Sequence, residues 1–120
     1  MSSRQIGRVA EDLALAHLCN EGLRLVQRNF CCRGGELDLV MRDGETLVFV
    51  EVRSRRGNRY GSAEESVTAT KQARLRKAAA FYLLRHPDWS NSCCRFDVIA
   101  VTQNSKDPRI NWIPNAFDTN

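Results

Sequence analysis

Read for its apolar and polar positions, the chain divides into two helical stretches and four or five strands. Ser2 with Gln5 three residues on forms a capping box, and Gly22 is a natural stop, so the pattern predicts a helix over residues 3–20. Leu23–Cys31 alternates loosely and reads as a first strand. Residues 36–42 and 45–53 read as two further strands joined by Asp43-Gly44. A polar, glycine-containing loop follows from Arg55 to Ser66. Thr68 then caps a second helix, Ala69–Arg85, which His86-Pro87 ends. Beyond a loop holding Trp89 come a strand at Arg95–Thr102 and a short piece at Ile110–Ile113, before Pro114 and a polar tail. The order α-β-β-β-α-β-(β) predicts an α/β domain with a mixed sheet between helices. There is no repeat, heptad array or low-complexity segment.

The central hairpin carries the chemistry. A two-residue type I′ turn at Asp43-Gly44 makes Arg42 face Glu45 and Glu36 face Glu51. Asp38 then faces Phe49 and lies diagonal to Glu51, about 7–8 Å away. By the two-residue period, Glu36, Asp38, Glu51 and Arg53 share one face, while Val48, Val50 and Val52 fill the other. Carboxylates set opposite one another repel, and burial worsens this unless a proton or a cation intervenes. A divalent ion resolves the conflict, since Mg²⁺ needs only one or two carboxylates besides water and phosphate. An exposed patch in which Arg53 neutralises the acids resolves it equally well, and the spacing leaves both open.

At 120 residues the chain is long enough for one core, so residues 1–120 are expected to form a single domain with its core over about 4–117. No segment approaches the roughly 18 consecutive apolar residues of a membrane helix. The charged N-terminus (Arg4, Arg8, Glu11, Asp12) is unlike a signal peptide, and the expected location is the cytoplasm. Five cysteines include the neighbouring pairs Cys31-Cys32 and Cys93-Cys94. Neighbours on a strand point to opposite faces, which disfavours a zinc clip, so buried thiols in a reducing compartment are expected. The net charge is +4, concentrated between residues 53 and 77, where eight cations meet two carboxylates. That segment carries +6 and the rest −2, as expected of a surface that faces phosphates.

Asp38 on one strand and Glu51-Val52-Arg53 on the next resemble the acid and acid-x-basic positions of the PD-(D/E)-x-K nuclease superfamily. More closely, the chain is similar to the YraN-like family of uncharacterised bacterial proteins, related in pattern to archaeal Holliday-junction resolvases. The resemblance runs from about Gln5 to Phe117 and includes Gly7 with Glu11, GELDLV, VFVEVR, YGSAEESVT, KQARL, RFDVIAV and WIPNAF. It implies a restriction-endonuclease-like, resolvase-like core. It also recruits Glu11, whose helical neighbours Gly7, Ala14, Leu15 and Leu18 form an apolar side, as a residue completing a metal shell. Gln72 matches the superfamily's polar residue on the second helix. The superfamily's usual Lys is replaced by Arg53, which is always charged and cannot act as a base, although it can grip phosphate with two prongs. Asp97 is expected to satisfy a nearby backbone group or Arg.

The expectation is a divalent-metal-dependent endonuclease acting on DNA, with branched or structured DNA as candidate substrates. Asp38 and Glu51 would hold Mg²⁺ or Mn²⁺ with Glu11 and Glu36 in support, while Arg53 contacts phosphate and Gln72 orients water. Arg55, Arg56, Arg59, Tyr60 and Lys71 would grip nucleic acid, with Tyr60 stacking on a base. Lys71, at the start of the second helix, is a substitute for the missing ammonium, although next to Gln72 it lies about 100° around the helix. The resolvase resemblance also makes a homodimer an expectation. Alternatives are a non-catalytic nucleic-acid-binding module with the same fold and a domain whose partner is another protein.

Overall fold

The computed structural model describes residues 2–55, 66–103 and 108–119. Helix α1 (Ser3–Asn20) starts where the sequence predicts, with the Ser2 hydroxyl accepting from Gln5 N–H and the Gln5 side chain accepting from Ser2 N–H. Gly22, at φ +99°, lets the chain turn into strand β1 (Arg24–Cys32). Strands β2 (Gly35–Asp43) and β3 (Thr46–Arg55) form the hairpin. Helix α2 (Ala69–Arg85) is capped by the Thr68 hydroxyl, which accepts from Lys71 N–H. A single 3₁₀ turn, Pro87–Trp89, leads to β4 (Cys94–Thr102) and β5 (Arg109–Phe117).

The five strands form one mixed sheet in the order β1-β2-β3-β4-β5. The pair β3/β4 is parallel and the other three pairs are antiparallel. A parallel pair needs a long crossover, and α2 lies within it. Both sheet faces are covered. On one, Ala10, Ala14 and Leu18 of α1 pack on Leu39, Met41, Val48, Val50, Ile99 and Val101. On the other, Leu75, Ala78, Ala79 and Tyr82 of α2 pack on Leu37, Val40, Leu47, Phe49, Phe96 and Val98. The Tyr82 ring meets Phe30 edge-on at 5.0 Å and stacks with His86 at 4.0 Å, fixing the far end of α2.

The predicted order holds, with three corrections. The hairpin pairs Asp43 with Thr46 and Arg42 with Leu47, so its central turn residues are Gly44 and Glu45 rather than Asp43 and Gly44. Gly44 alone of these has positive φ (+61°), which suits a type II′ turn with glycine first, and Asp43 is held on the strand by Arg95 at 3.1 Å. Strand β5 runs through Pro114 instead of stopping before it, which a sheet edge permits because proline's missing N–H faces no partner there.

The cysteines supply the third correction. All five are free thiols; Cys19, Cys31 and Cys93 are exposed and Cys32 and Cys94 half-buried, so they are not core residues. The two pairs lie at opposite ends of the sheet, Cys32 beside Gly35 at the start of β2 and Cys94 beside Leu47 near its end, too far apart to share a metal. Among the described residues, no helix is long and apolar enough to cross a membrane.

Candidate active site

The β2/β3 ladder runs from Asp43↔Thr46 to Leu39↔Val50 and stops there, while β3 continues beside β4 as far as Arg55↔Thr102. Strand β2 turns at Asp38, since Leu37 packs on the α2 side and Leu39 on the α1 side, where a regular strand would keep both on one face. The Val52 N–H, which points toward β2, therefore finds no backbone acceptor and donates to Asp38 Oδ2 at 2.8 Å. The parting of the two strands draws a carboxylate into the gap to satisfy a buried donor.

This register also replaces the expected Glu36–Glu51 pair. With facing residues summing to 89, Asp38 is the residue level with Glu51, the next step beyond Leu39↔Val50. Glu51 is only 4% exposed. Its Oε2 is 3.5 Å from Arg53 Nη1 and 3.4 Å from Lys71 Nζ, so two cations converge on one oxygen. Burial, and then the charge of Glu51 with a carboxyl–carboxyl hydrogen bond to it, push Asp38 up to about 8; Glu36 adds to this and the Val52 N–H opposes it. The pair thus keeps a proton at neutral pH unless another cation arrives.

Glu11 approaches from α1. Its pKa is raised by burial first and by Asp38 second, against the pull of Arg28, whose Nη2 is 3.5 Å from Glu11 Oε1 and 2.8 Å from Asp12 Oδ1. Glu36 is exposed, with Cys31 Sγ 3.8 Å from its Oε2. Among the described residues, no three or more His, Cys, Asp and Glu side chains converge as a ready-made metal cage.

The structure therefore brings Asp38, Glu51, Arg53 and Lys71 together, sets Glu11 near enough to feel the charge of Asp38 and leaves Glu36 exposed. Gln72 is committed elsewhere: its Nε2 donates to Val67 O at 3.1 Å and its Oε1 accepts from Arg76 at 3.2 Å. Arg55 ends β3, its carbonyl accepting from Gln103 N–H. Arg56, Arg59 and Tyr60 lie outside the described residues. Asp97 is fully buried and accepts from Arg95, from Trp112 Nε1 at 3.0 Å and from Asn115 N–H at 2.9 Å, which makes it a structural clamp between β4 and β5 as the sequence suggests. Sequence reasoning passed over Arg28; its signal was a cation on the strand beside the acidic Glu11-Asp12 step of α1.

The model of an uncharacterised protein family, UPF0102, matches residues 10–101, a span that contains Glu11, Asp38, Glu51 and Lys71. The chain belongs to this family. It is the YraN-like group to which the sequence motifs pointed. The chain is 54% identical over 117 residues to a UPF0102 protein of Stutzerimonas stutzeri, covering 98% of each chain. It is 51% identical over 119 residues to one of Pseudomonas aeruginosa, covering 98% of this chain and 95% of that one. A UPF0102 protein of Pseudomonas fluorescens is 48% identical over 118 residues, with 98% and 97% covered.

Proposed function

We propose that this member of UPF0102 is a divalent-metal-dependent endonuclease acting on DNA, built on a restriction-endonuclease-like core. The observation that carries the reading is the half-buried Asp38 carboxyl set beside buried Glu51 where β2 leaves β3, with burial and the charge of Glu51 pushing Asp38 upward. Two hard oxygen donors suit Mg²⁺ or Mn²⁺, which bind through one or two carboxylates and keep several waters, so the absence of a larger acidic cage among the described residues is compatible with them. Such an ion, when bound, supplies a water of lowered pKa and stabilises charge on phosphate.

The chain's own residues do the rest. Asp38, steadied by the Val52 N–H, and Glu51, steadied by Arg53 and Lys71, present the metal-binding oxygens. Arg53 offers a planar guanidinium to the phosphate oxygens. Lys71 brings from α2 the compact ammonium that the sequence lacks at position 53, and its long stem makes up for its angular offset from Gln72. Glu11, near enough to feel the charge of Asp38, serves as an outer carboxylate.

A second reading has its own support. Arg53 and Lys71 already neutralise Glu51, which suits a non-catalytic module that binds nucleic acid and keeps the acids as part of its frame. Cleavage of linear and branched DNA in Mg²⁺ or Mn²⁺ separates the two. The nuclease reading expects nicking by the parent chain and none by Glu51→Gln; no cleavage by the parent on any of these substrates leaves the binding module.

A further inference from the structure

A pocket of about 410 Å³ opens beside the carboxylate pair, between the β1–β2 turn and the first turns of α2. Gly34, Gly35, Glu36, Cys31 and Cys32 form one wall; Lys71, Arg74 and Leu75 form the other. Lys71 belongs to both places, lining the pocket while its ammonium touches Glu51. The ammonium of Lys77 overhangs the turn, since a Cβ on Gly34 would lie 3.2 Å from its Nζ. Glu36 is, among the described residues, the one carboxylate in the lining, set against the cations Lys71 and Arg74 with Lys77 at the edge. Among the described residues, neither Arg74 nor Lys77 forms an ion pair.

The pocket is closed at its floor. A Cβ on Gly35 would stand 2.7 Å from the Arg74 carbonyl oxygen, so the turn is pressed on the α2 backbone and only glycine fits. A cavity this size holds one small ligand. Bounded by one turn and one helix, the pocket takes a single backbone and not both strands across a groove about 12 Å wide.

We propose that this pocket is a backbone subsite for a single-stranded segment of nucleic acid, with Arg74 and Lys77 on its phosphates and Lys71 joining it to the carboxylate pair. The inference rests on the nucleic-acid reading of the same site but not on cleavage. It assigns the protein a nucleic-acid ligand with an unpaired segment next to the carboxylate pair.

The test is fluorescence anisotropy of the full chain with a labelled single strand and the corresponding blunt duplex, in EDTA across a salt series. Arg74→Glu combined with Lys77→Glu should weaken single-strand binding on the order of tenfold and flatten the log–log salt slope by about 1.4, for two contacts at roughly 0.7 each. Arg24→Glu with Arg42→Glu makes the same charge change at the opposite end of β2 and should leave binding close to parental. If the reversal pair does not fold by its melting curve, the Gln pair at 74 and 77 is read instead, with a smaller loss of the same sign. Parental binding by the groove variant, an equal loss in the control pair, or an equal loss on duplex and single strand overturns the proposal. A groove effect without any cleavage by the parent chain overturns the nuclease reading alone.

Discussion

Replacing Asp38 by Asn tests the site at its most strained point. In the folded, metal-free protein Asp38 holds its proton to about pH 8, against an ordinary value near 3.8 in the unfolded chain. Between these values the folded state binds one proton more than the unfolded state, so stability falls as pH rises and the full penalty is present above pH 8. Four units at about 1.4 kcal/mol each set a ceiling of roughly 5–6 kcal/mol. About 4 kcal/mol of this falls between pH 5 and pH 8, and since Asp38 keeps some solvent contact and Glu51 has two cations at hand, a loss of about 2 kcal/mol over that interval is expected. Asn is isosteric, can still accept from the Val52 N–H, can donate to Glu51 and does not titrate. Denaturant unfolding in EDTA should find the stability of Asp38→Asn relative to the parent rising by about 2 kcal/mol between pH 5 and pH 9. At roughly 4 °C per kcal/mol, the melting temperatures should part by about 8 °C. A gap that stays constant from pH 5 to 9 would mean that Asp38 titrates as an ordinary carboxylate, and the metal argument would lose its footing.

Other expectations follow from the same geometry. Mg²⁺ or Mn²⁺ at ten times its dissociation constant should stabilise the parent by about 1.4 kcal/mol in thermal melts, and Asp38→Asn should remove that gain; an unshifted parent would speak against a metal site. Lys71→Met should cost about 1 kcal/mol at pH 8 and reduce metal-dependent cleavage by an order of magnitude or more, because Glu51 keeps only Arg53 and the ammonium is lost; full activity would remove Lys71 from the site. Asp97→Asn should cost about 3 kcal/mol, since an amide cannot receive all the donors gathered there, and the metal-induced shift of the melting temperature should survive. A melt unchanged by that substitution would show that Asp97 does not clamp β5.

The two helices were legible in the sequence because their ends are local. Ser2 with Gln5, and Thr68 followed by a helical run, state the starts, while Gly22 and His86-Pro87 state the stops. The hairpin was legible in its strands but not in its register, because Asp-Gly fits two turn positions and the choice involves contacts distant in sequence, such as that of Arg95 with Asp43. The face of Glu51 and Arg53 follows from the strand period, and a two-residue shift of register leaves that face unchanged. Their depth and the bend at Asp38 depend on where β2 leaves β3, which no local pattern encodes. Lys71 was legible as a candidate ammonium, and only its angular offset from Gln72 counted against it. Angular position describes where a helical side chain starts, whereas a four-carbon stem decides where its charge ends.

The outer strands have a consequence for assembly. Among the described residues, Asn29 of β1 and Asn115 of β5 are the non-glycine residues with positive φ, at +52° and +51°, and each lies within an outermost strand. Near each, the pairing slips register, between Leu25 and Gln27 on one side and between Phe96 and Val98 on the other. Pro114 removes one more donor from β5. A neighbouring chain arriving edge-on would find interrupted rows of amide donors and carbonyls instead of a template to copy, so the sheet is terminated on both flanks. Growth by added strands, the route to fibres, is disfavoured at one edge by Asn29 and at the other by Asn115 and Pro114.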